Sequence, residues 1–313
     1  MAKKTPPKIV REIQKYNPPP INFSTEKIIS YSQVSMYWQC PKKWALQYRD
    51  GHKVFDPNIY LVFGTALHEV LQDYLEVMYN ESGVKADKME LELLFEEKLK
   101  DSYKTYYKKN NSQHFTDPSK LGEFYSDGVD IINYIRKNRG KYFSKRNWWL
   151  VGCEIPINVV PNSKYPHVKF IGYIDVLLYN KNTESFYILD IKTSTKGWGA
   201  SQKKDKHKQY QLVLYKKFLS QQYNIPLDKI NIEFFITRRK TWETDSYSVK
   251  HVQSFKPSSG KVSINKATKK LNEFVENCFT PHGYTEKDMG ETPNDMCKWC
   301  PFYKTYLCKS TFT

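Results

Sequence analysis

The sequence has no apolar run long enough to cross a bilayer: its most apolar stretches, such as residues 60–67 and 168–179, fall far short of the roughly 20 residues a spanning helix needs. Its first residues are charged and proline-rich with no apolar core behind them, so neither a signal peptide nor a membrane anchor is expected. The protein therefore reads as intracellular and cytoplasmic, and a phage-encoded or bacterial origin is compatible with this. No glycine-rich phosphate loop of the Walker type is present, which excludes a helicase motor within the chain. Repeats and long low-complexity segments are missing, which excludes a fibrous protein. Cysteine is sparse and unevenly placed, at positions 40, 153, 278, 297, 300 and 308, so in a reducing compartment no disulfide framework is expected. Acidic residues are outnumbered: 33 Asp and Glu stand against 49 Lys and Arg, leaving a net charge of +16 over 313 residues.

What is present is a core-forming composition, 40% hydrophobic with 24 Tyr, 17 Phe and 7 Trp, which excludes a disordered chain. The positive surplus points to a polyanionic partner, most often nucleic acid. The plainer reading is a solvated lysine-rich surface.

The proline pairs and runs at Pro6, Pro7 and Pro18 to Pro20 predict that residues 1–29 form an extended arm. Apolar spacing predicts helices over residues 34–48, 60–79, 87–109 and 118–137, so that residues 30–147 form a helical region. From Trp148 the pattern shifts to short runs rich in β-branched and aromatic residues, 148–160, 168–179 and 185–193, separated by turn-forming segments. They read as an antiparallel three-strand meander. A helix over 206–223, strands over 230–237 and 245–255, and a helix over 261–279 complete a core spanning 148–280. The predicted class is α/β, a mixed sheet flanked by helices, followed by a cysteine-bearing segment over 281–313.

The chemistry concentrates in the meander. Asp190 and Lys192, two apart on one strand, project to the same face. If that strand pairs with its predecessor around the turn at 180–184, Asp175 lies beside Asp190. Two converging carboxylates are costly unless a divalent cation neutralises them, and a neighbouring lysine can orient a water and stabilise charge on a phosphate. The plainer reading of Asp-x-Lys is an exposed ion pair. Ile188, Leu189 and Ile191 argue instead for a buried strand, where charges are usually functional. At the other end of the chain, Cys297-x-x-Cys300 followed by Cys308 is a chelating set.

Gly172-x-x-Asp175, Asp190-x-Lys192 and Gln211-x-x-x-Tyr215, in that order, resemble the core motifs of the PD-(D/E)XK nuclease superfamily. The wider pattern resembles its RecB-like exonuclease branch, as in AddB-type and CRISPR-associated members. Ser32 to Trp44, with Tyr37, Cys40 and Pro41, is similar to that branch's opening helix, and Gly64-x-x-x-His68-Glu69 to its histidine-bearing helix. The resemblance covers residues 30–310 and implies a restriction-endonuclease-like core. It further implies Mg or Mn held by His68, Asp175, Asp190 and the carbonyl of Ile191, with Lys192 catalytic and Gln211 and Tyr215 near the scissile phosphate. Glu154, on the first strand, ranks above Glu69 as an additional acidic partner.

By the same resemblance Cys40 joins Cys297, Cys300 and Cys308 around a [4Fe–4S] cluster, although seven residues between Cys300 and Cys308 is a longer gap than is common in that branch. A four-thiolate zinc site is the chemical alternative. Cys153 and Cys278 read as small packing residues. Basic stretches with aromatics, residues 196–208 with Trp198 and 238–242 with Arg238, Arg239, Lys240 and Trp242, mark an expected DNA path. Both tryptophans have packing as the plainer reading. The expected activity is a metal-dependent DNA nuclease, an exonuclease on single-stranded ends acting in repair or recombination, with a helicase or recombination protein as partner. The rival class is a non-catalytic DNA-binding or assembly protein with the same fold.

Overall fold

A computed structural model of the chain describes residues 5–144, 146–244 and 247–309. In chain order the elements are α1 (Lys8–Lys15), β1 (Lys27–Ile29), α2 (Tyr31–Gln39), α3 (Pro41–Trp44), α4 (Ile59–Asn80), α5 (Gly83–Asp87), α6 (Leu91–Lys109), α7 (Pro118–Lys137) and α8 (Arg139–Tyr142). Then come β2 (Trp148–Val159), β3 (Val168–Asn180), β4 (Ser185–Ser194), α9 (Ala200–Lys204), α10 (Lys206–Tyr223) and β5 (Ile230–Arg238). They are followed by β6 (Trp242–Thr244), β7 (Tyr247–Val249), β8 (Val252–Phe255), α11 (Lys261–Cys278), β9 (Phe279–Thr280) and β10 (Gly283–Tyr284).

Local chemistry explains most boundaries. Asn58 caps α4 by accepting the Leu61 N–H at 3.1 Å, Asp117 caps α7 at Ser119, and Asp205 caps α10 at His207. Pro118 occupies the first turn of α7, where its missing N–H costs nothing. Asn224 closes α10 in the left-handed conformation, φ 53°.

Six strands form one mixed sheet. β2, β3 and β4 are the expected antiparallel meander. β4 runs parallel to β5 with α10 as the crossover, β8 adds antiparallel to β5, and β1 runs parallel to the start of β3. Alternating side chains serve two cores, one on each face. Leu177, Ile188, Phe234 and Ile236 pack in one with α10, α11 and α2. Val176, Leu178, Leu189 and Ile191 pack in the other with α4, α6 and α7. The expected α/β class, with a sheet between helical layers, is what forms.

Three expectations change. The stretch read as an extended arm contains α1, because residues 8–15 lie between the prolines and place Val10 and Ile13, three apart, fully in the core; residues 1–4 of that arm lie outside the described residues. The single helix over 34–48 is two helices followed by a wide turn at Ala45–Arg49. Pro41 disfavours helical backbone at Cys40, which is extended at φ −160°, ψ 109°, and Pro41 then begins α3. The strand over 245–255 divides: β6 and β7 make a hairpin apart from the sheet and only β8 joins β5, while Asp245 and Ser246 lie outside the described residues.

One buried ion pair ties the second core to the sheet. Arg239, just past β5, bonds Asp127 of α7 at 2.5 Å and lies 3.8 Å above the Phe124 ring, and Lys240 reaches Asp127 at 3.0 Å and Glu123 at 2.9 Å. Removing one partner strands a buried charge. Asp127→Ala is accordingly expected to lower the unfolding free energy by about 3–5 kcal/mol, read by urea denaturation. A change below about 1 kcal/mol, the size of a surface pair, would contradict this.

Candidate active site

β3 and β4 pair from Asn180↔Ser185 to Val176↔Leu189. At the next position the Asp175 carboxylate, rather than a main-chain carbonyl, accepts the Ile191 N–H, at 2.7 Å. The main-chain oxygen of Asp175 is taken by Gln72 of α4, whose amide donates to it at 2.9 Å and to Glu154 Oε1 of β2 at 2.7 Å. His68 stands one turn earlier on α4, with Nε2 3.3 Å from Asp175 Oδ2 and 3.8 Å from Glu154 Oε1. α4 approaches β4 closely at Gly64, where a side chain would begin 3.3 Å from Thr193 Oγ1.

His68, Glu154 and Asp175 each bring one ligand atom within 4.8 Å of the others, a set of one imidazole and two carboxylates suited to a divalent cation. Glu154 holds its place at φ 51°, left-handed backbone that a non-glycine residue rarely adopts in a strand. Burial opposes charging His68, yet its hydrogen bond and attraction to Asp175, then attraction to Glu154, raise its pKa overall.

Asp190, 1% exposed, turns to Lys192, with Nζ 2.7 Å from Oδ2. Apart from this ion pair, neither of its carboxylate oxygens has a hydrogen-bond partner among the described residues. Burial pushes its pKa up to about 7 while the Lys192 ammonium pulls it down. A buried carboxylate oxygen left without a donor fits a site completed by a cation. Asp175 and Asp190 thus neighbour each other as strand pairing required, but the compact trio contains Glu154 where the sequence reading put Asp190. Asp190 lies beside that trio, bonded to Lys192, and the Ile191 N–H is engaged by Asp175.

Gly172 connects the first motif to the last. A Cβ there would lie 2.8 Å from the Tyr215 hydroxyl, so glycine lets α10 press Tyr215 against β3. Tyr215 is 6% exposed and bonded to Gln211, and burial pushes its pKa up to about 12. It stays a neutral phenol. Gln72 was not anticipated, although its position four residues after His68 on one helix face was the available signal.

The four cysteines of the proposed cluster line one cavity of about 30 Å³. The C-terminal segment is pinned there by Lys42 N–H to Gly290 O at 3.1 Å and by the Asn294 amide to Gln39 O at 3.2 Å. Thiolates are the ligand chemistry of an iron–sulfur cluster or zinc, and all four cysteines border this space, but the compact ligand group among the described residues is His68, Glu154 and Asp175 and not the sulfurs. Cys278 is fully buried and Cys153 half-buried, both with pKa raised by burial, consistent with packing roles.

The expected DNA path is narrower than the sequence suggested. Trp198, 8% exposed, packs on Phe234 and Phe255, and Arg239 and Lys240 are engaged with Asp127 and Glu123. Trp242 remains 45% exposed, and Lys208 sits 5.3 Å above the Trp198 ring.

A sequence profile of the PD-(D/E)XK nuclease superfamily matches residues 28–305. The chain belongs to that superfamily. No curated protein sequence matches it. The nuclease is thus metal-dependent by family, with a His–Glu–Asp group able to bind the ion. No described helix is long and apolar enough to cross a membrane.

The raised pKa of His68 carries a sign. A protonated imidazole gains from Asp175 only in the folded chain, so its stabilisation is complete below the ordinary value of 6.5 and disappears as pH rises through the higher folded value. In chelator-treated protein, the stability difference between wild type and His68→Gln should be largest below pH 6.5 and shrink above it, measured by urea unfolding across pH. A difference independent of pH would remove the His68–Asp175 pairing as its source.

Proposed function

We propose that the protein is a Mg- or Mn-dependent deoxyribonuclease of the RecB-like type, hydrolysing phosphodiester bonds as an exonuclease on single-stranded ends. The observation that carries the reading is the convergence of His68, Glu154 and Asp175 beside the buried Asp190 and its half-buried partner Lys192. A divalent cation held by His68, Glu154, Asp175 and Asp190 would supply Lewis-acid activation of water and neutralise charge at the phosphate.

The chain's own groups have definable tasks. Asp175 braces the Ile191 main chain, and Gln72 of α4 braces both Asp175 and Glu154, fixing carboxylates on two neighbouring strands. Lys192, held by Asp190, remains a cation able to orient a water and stabilise charge on a non-bridging phosphate oxygen. Gln211 borders the same cavity as Lys192, where its amide can reach a phosphate or base, and Tyr215 positions Gln211.

The four-cysteine site is assigned a [4Fe–4S] cluster, with zinc as the alternative, that fastens the C-terminal segment to the end of α2. Free DNA ends are the preferred substrate because helical layers and the C-terminal segment surround the sheet. A helicase or recombination partner and a role in DNA repair fit that substrate.

Lys192→Ala and Asp190→Ala are each expected to reduce cleavage of end-labelled DNA in manganese on the order of 10²–10³-fold, with salt-sensitive DNA binding retained because affinity comes mainly from other cations. Linear DNA should be degraded and circular DNA spared. Full activity in either variant would remove the assigned site, and no cleavage by wild type under any divalent ion would favour a non-catalytic binding protein.

Anaerobically purified protein should contain iron, and Cys300→Ser should lose it and lower the melting temperature by several degrees, whereas Cys153→Ser and Cys278→Ser should keep it. Zinc instead of iron would select the alternative, and neither metal would overturn the site.

A further inference from the structure

Beside Lys192 lies a cavity of about 530 Å³, within the size range of small-molecule sites. α2 lines it with Ser32, Ser35 and Gln39, whose spacing places them on one helix face. The first turns of α10 add His207, Lys208 and Gln211. Its inner wall is aromatic and closed by Tyr31, Trp198 and Phe234, each 8% exposed or less. The Tyr31 hydroxyl donates to the His207 carbonyl and so joins α2 to α10 across the cavity.

Three polar groups on this wall, Ser32, Ser35 and Lys208, are not used in holding the fold. The hydroxyls of Ser32 and Ser35 have no protein hydrogen-bond partner among the described residues. Lys208 has no carboxylate partner among them, only the Trp198 face beneath it at 5.3 Å. The carboxylate on the wall, Asp205, is engaged in capping α10 through the His207 N–H at 2.9 Å, where the helix N-terminus offsets its charge. Two hydroxyl donors, an unpaired ammonium and the nearby Lys192 present a phosphate-binding surface, while the aromatic inner wall offers a place for a base.

Resting on the nuclease reading, we propose that this cavity holds the terminal nucleotide of the substrate strand and recognises a phosphomonoester at its end through Ser32, Ser35 and Lys208. Its buried aromatic floor gives a base a place to rest, so a terminal nucleotide seated there presents to Lys192 a phosphodiester close to the terminus. The preference for ends then follows from recognition of the terminal phosphate.

The test uses the full-length protein in two arms. In chelator, thymidine 5′-monophosphate, thymidine 3′-monophosphate and thymidine are titrated calorimetrically into wild type and into a Ser35→Ala, Lys208→Met double variant. One monophosphate is expected to bind at least about tenfold more tightly than thymidine, and the double variant to lose that preference, since a charged hydrogen-bonded contact is worth this much. In manganese, single strands ending in 5′-phosphate, 3′-phosphate or hydroxyl are compared. The end matching the favoured monophosphate should be cut about tenfold faster by wild type, while the variant cuts the three ends at rates equal to one another. Equal binding of thymidine and both monophosphates, with equal cleavage of all ends, would overturn the cavity's role and leave the nuclease reading intact. Monophosphate preference without cleavage of any DNA would uphold the cavity and overturn the nuclease reading.

Discussion

The Asp175 carboxylate standing in for a strand carbonyl is the contact on which the site depends. By accepting the Ile191 N–H, it satisfies a main-chain donor at the end of the β3–β4 ladder and fixes its own position between the two strands. The Asp175 carbonyl then needs a donor, which Gln72 provides from the helical layer. Because Gln72 also holds Glu154, one amide aligns acidic residues from two strands with His68 on α4. Displacing any of these groups would leave a polar atom of the sheet without a partner, so the fold itself resists loss of the arrangement.

The rest of the structure keeps that place both rigid and accessible. A core on each face clamps the sheet, and α4 and α10 reach the site from opposite sides. Both approaches depend on glycine. Gly64 lets α4 come down onto Thr193, and Gly172 lets Tyr215 of α10 come down onto β3. The Asp190–Lys192 pair is weak evidence for stability, because desolvating the buried Asp190 carboxylate offsets much of its attraction to the half-buried Lys192. Its retention in an otherwise apolar strand is better explained by chemistry than by folding.

Charge is distributed by task. The surplus of sixteen positive charges is a property of the whole surface, but the individual cations differ. Arg239 and Lys240 are structural, locked onto α7, and Lys192 is held by Asp190. Lys208, beside a cavity, has no carboxylate partner among the described residues. Composition alone could not separate these roles, since each is set by what a distant segment brings to the lysine or arginine.

The sequence by itself determined the elements of regular period and the motif positions within them: α7, α10 and the meander lie where apolar spacing and turn residues put them, because those signals act within a few residues. The i and i+2 geometry of a strand likewise made the Asp190–Lys192 pair legible. Tertiary structure decided what depended on contacts between remote segments. α1 forms where Val10 and Ile13 find the core, although prolines flank it. Trp198 packs and Arg239 pairs, although each lies in a stretch that reads as a DNA path. Glu154 and Gln72 join His68 and Asp175 because three elements meet at the end of one ladder, and no local pattern encodes which side chains face that meeting point.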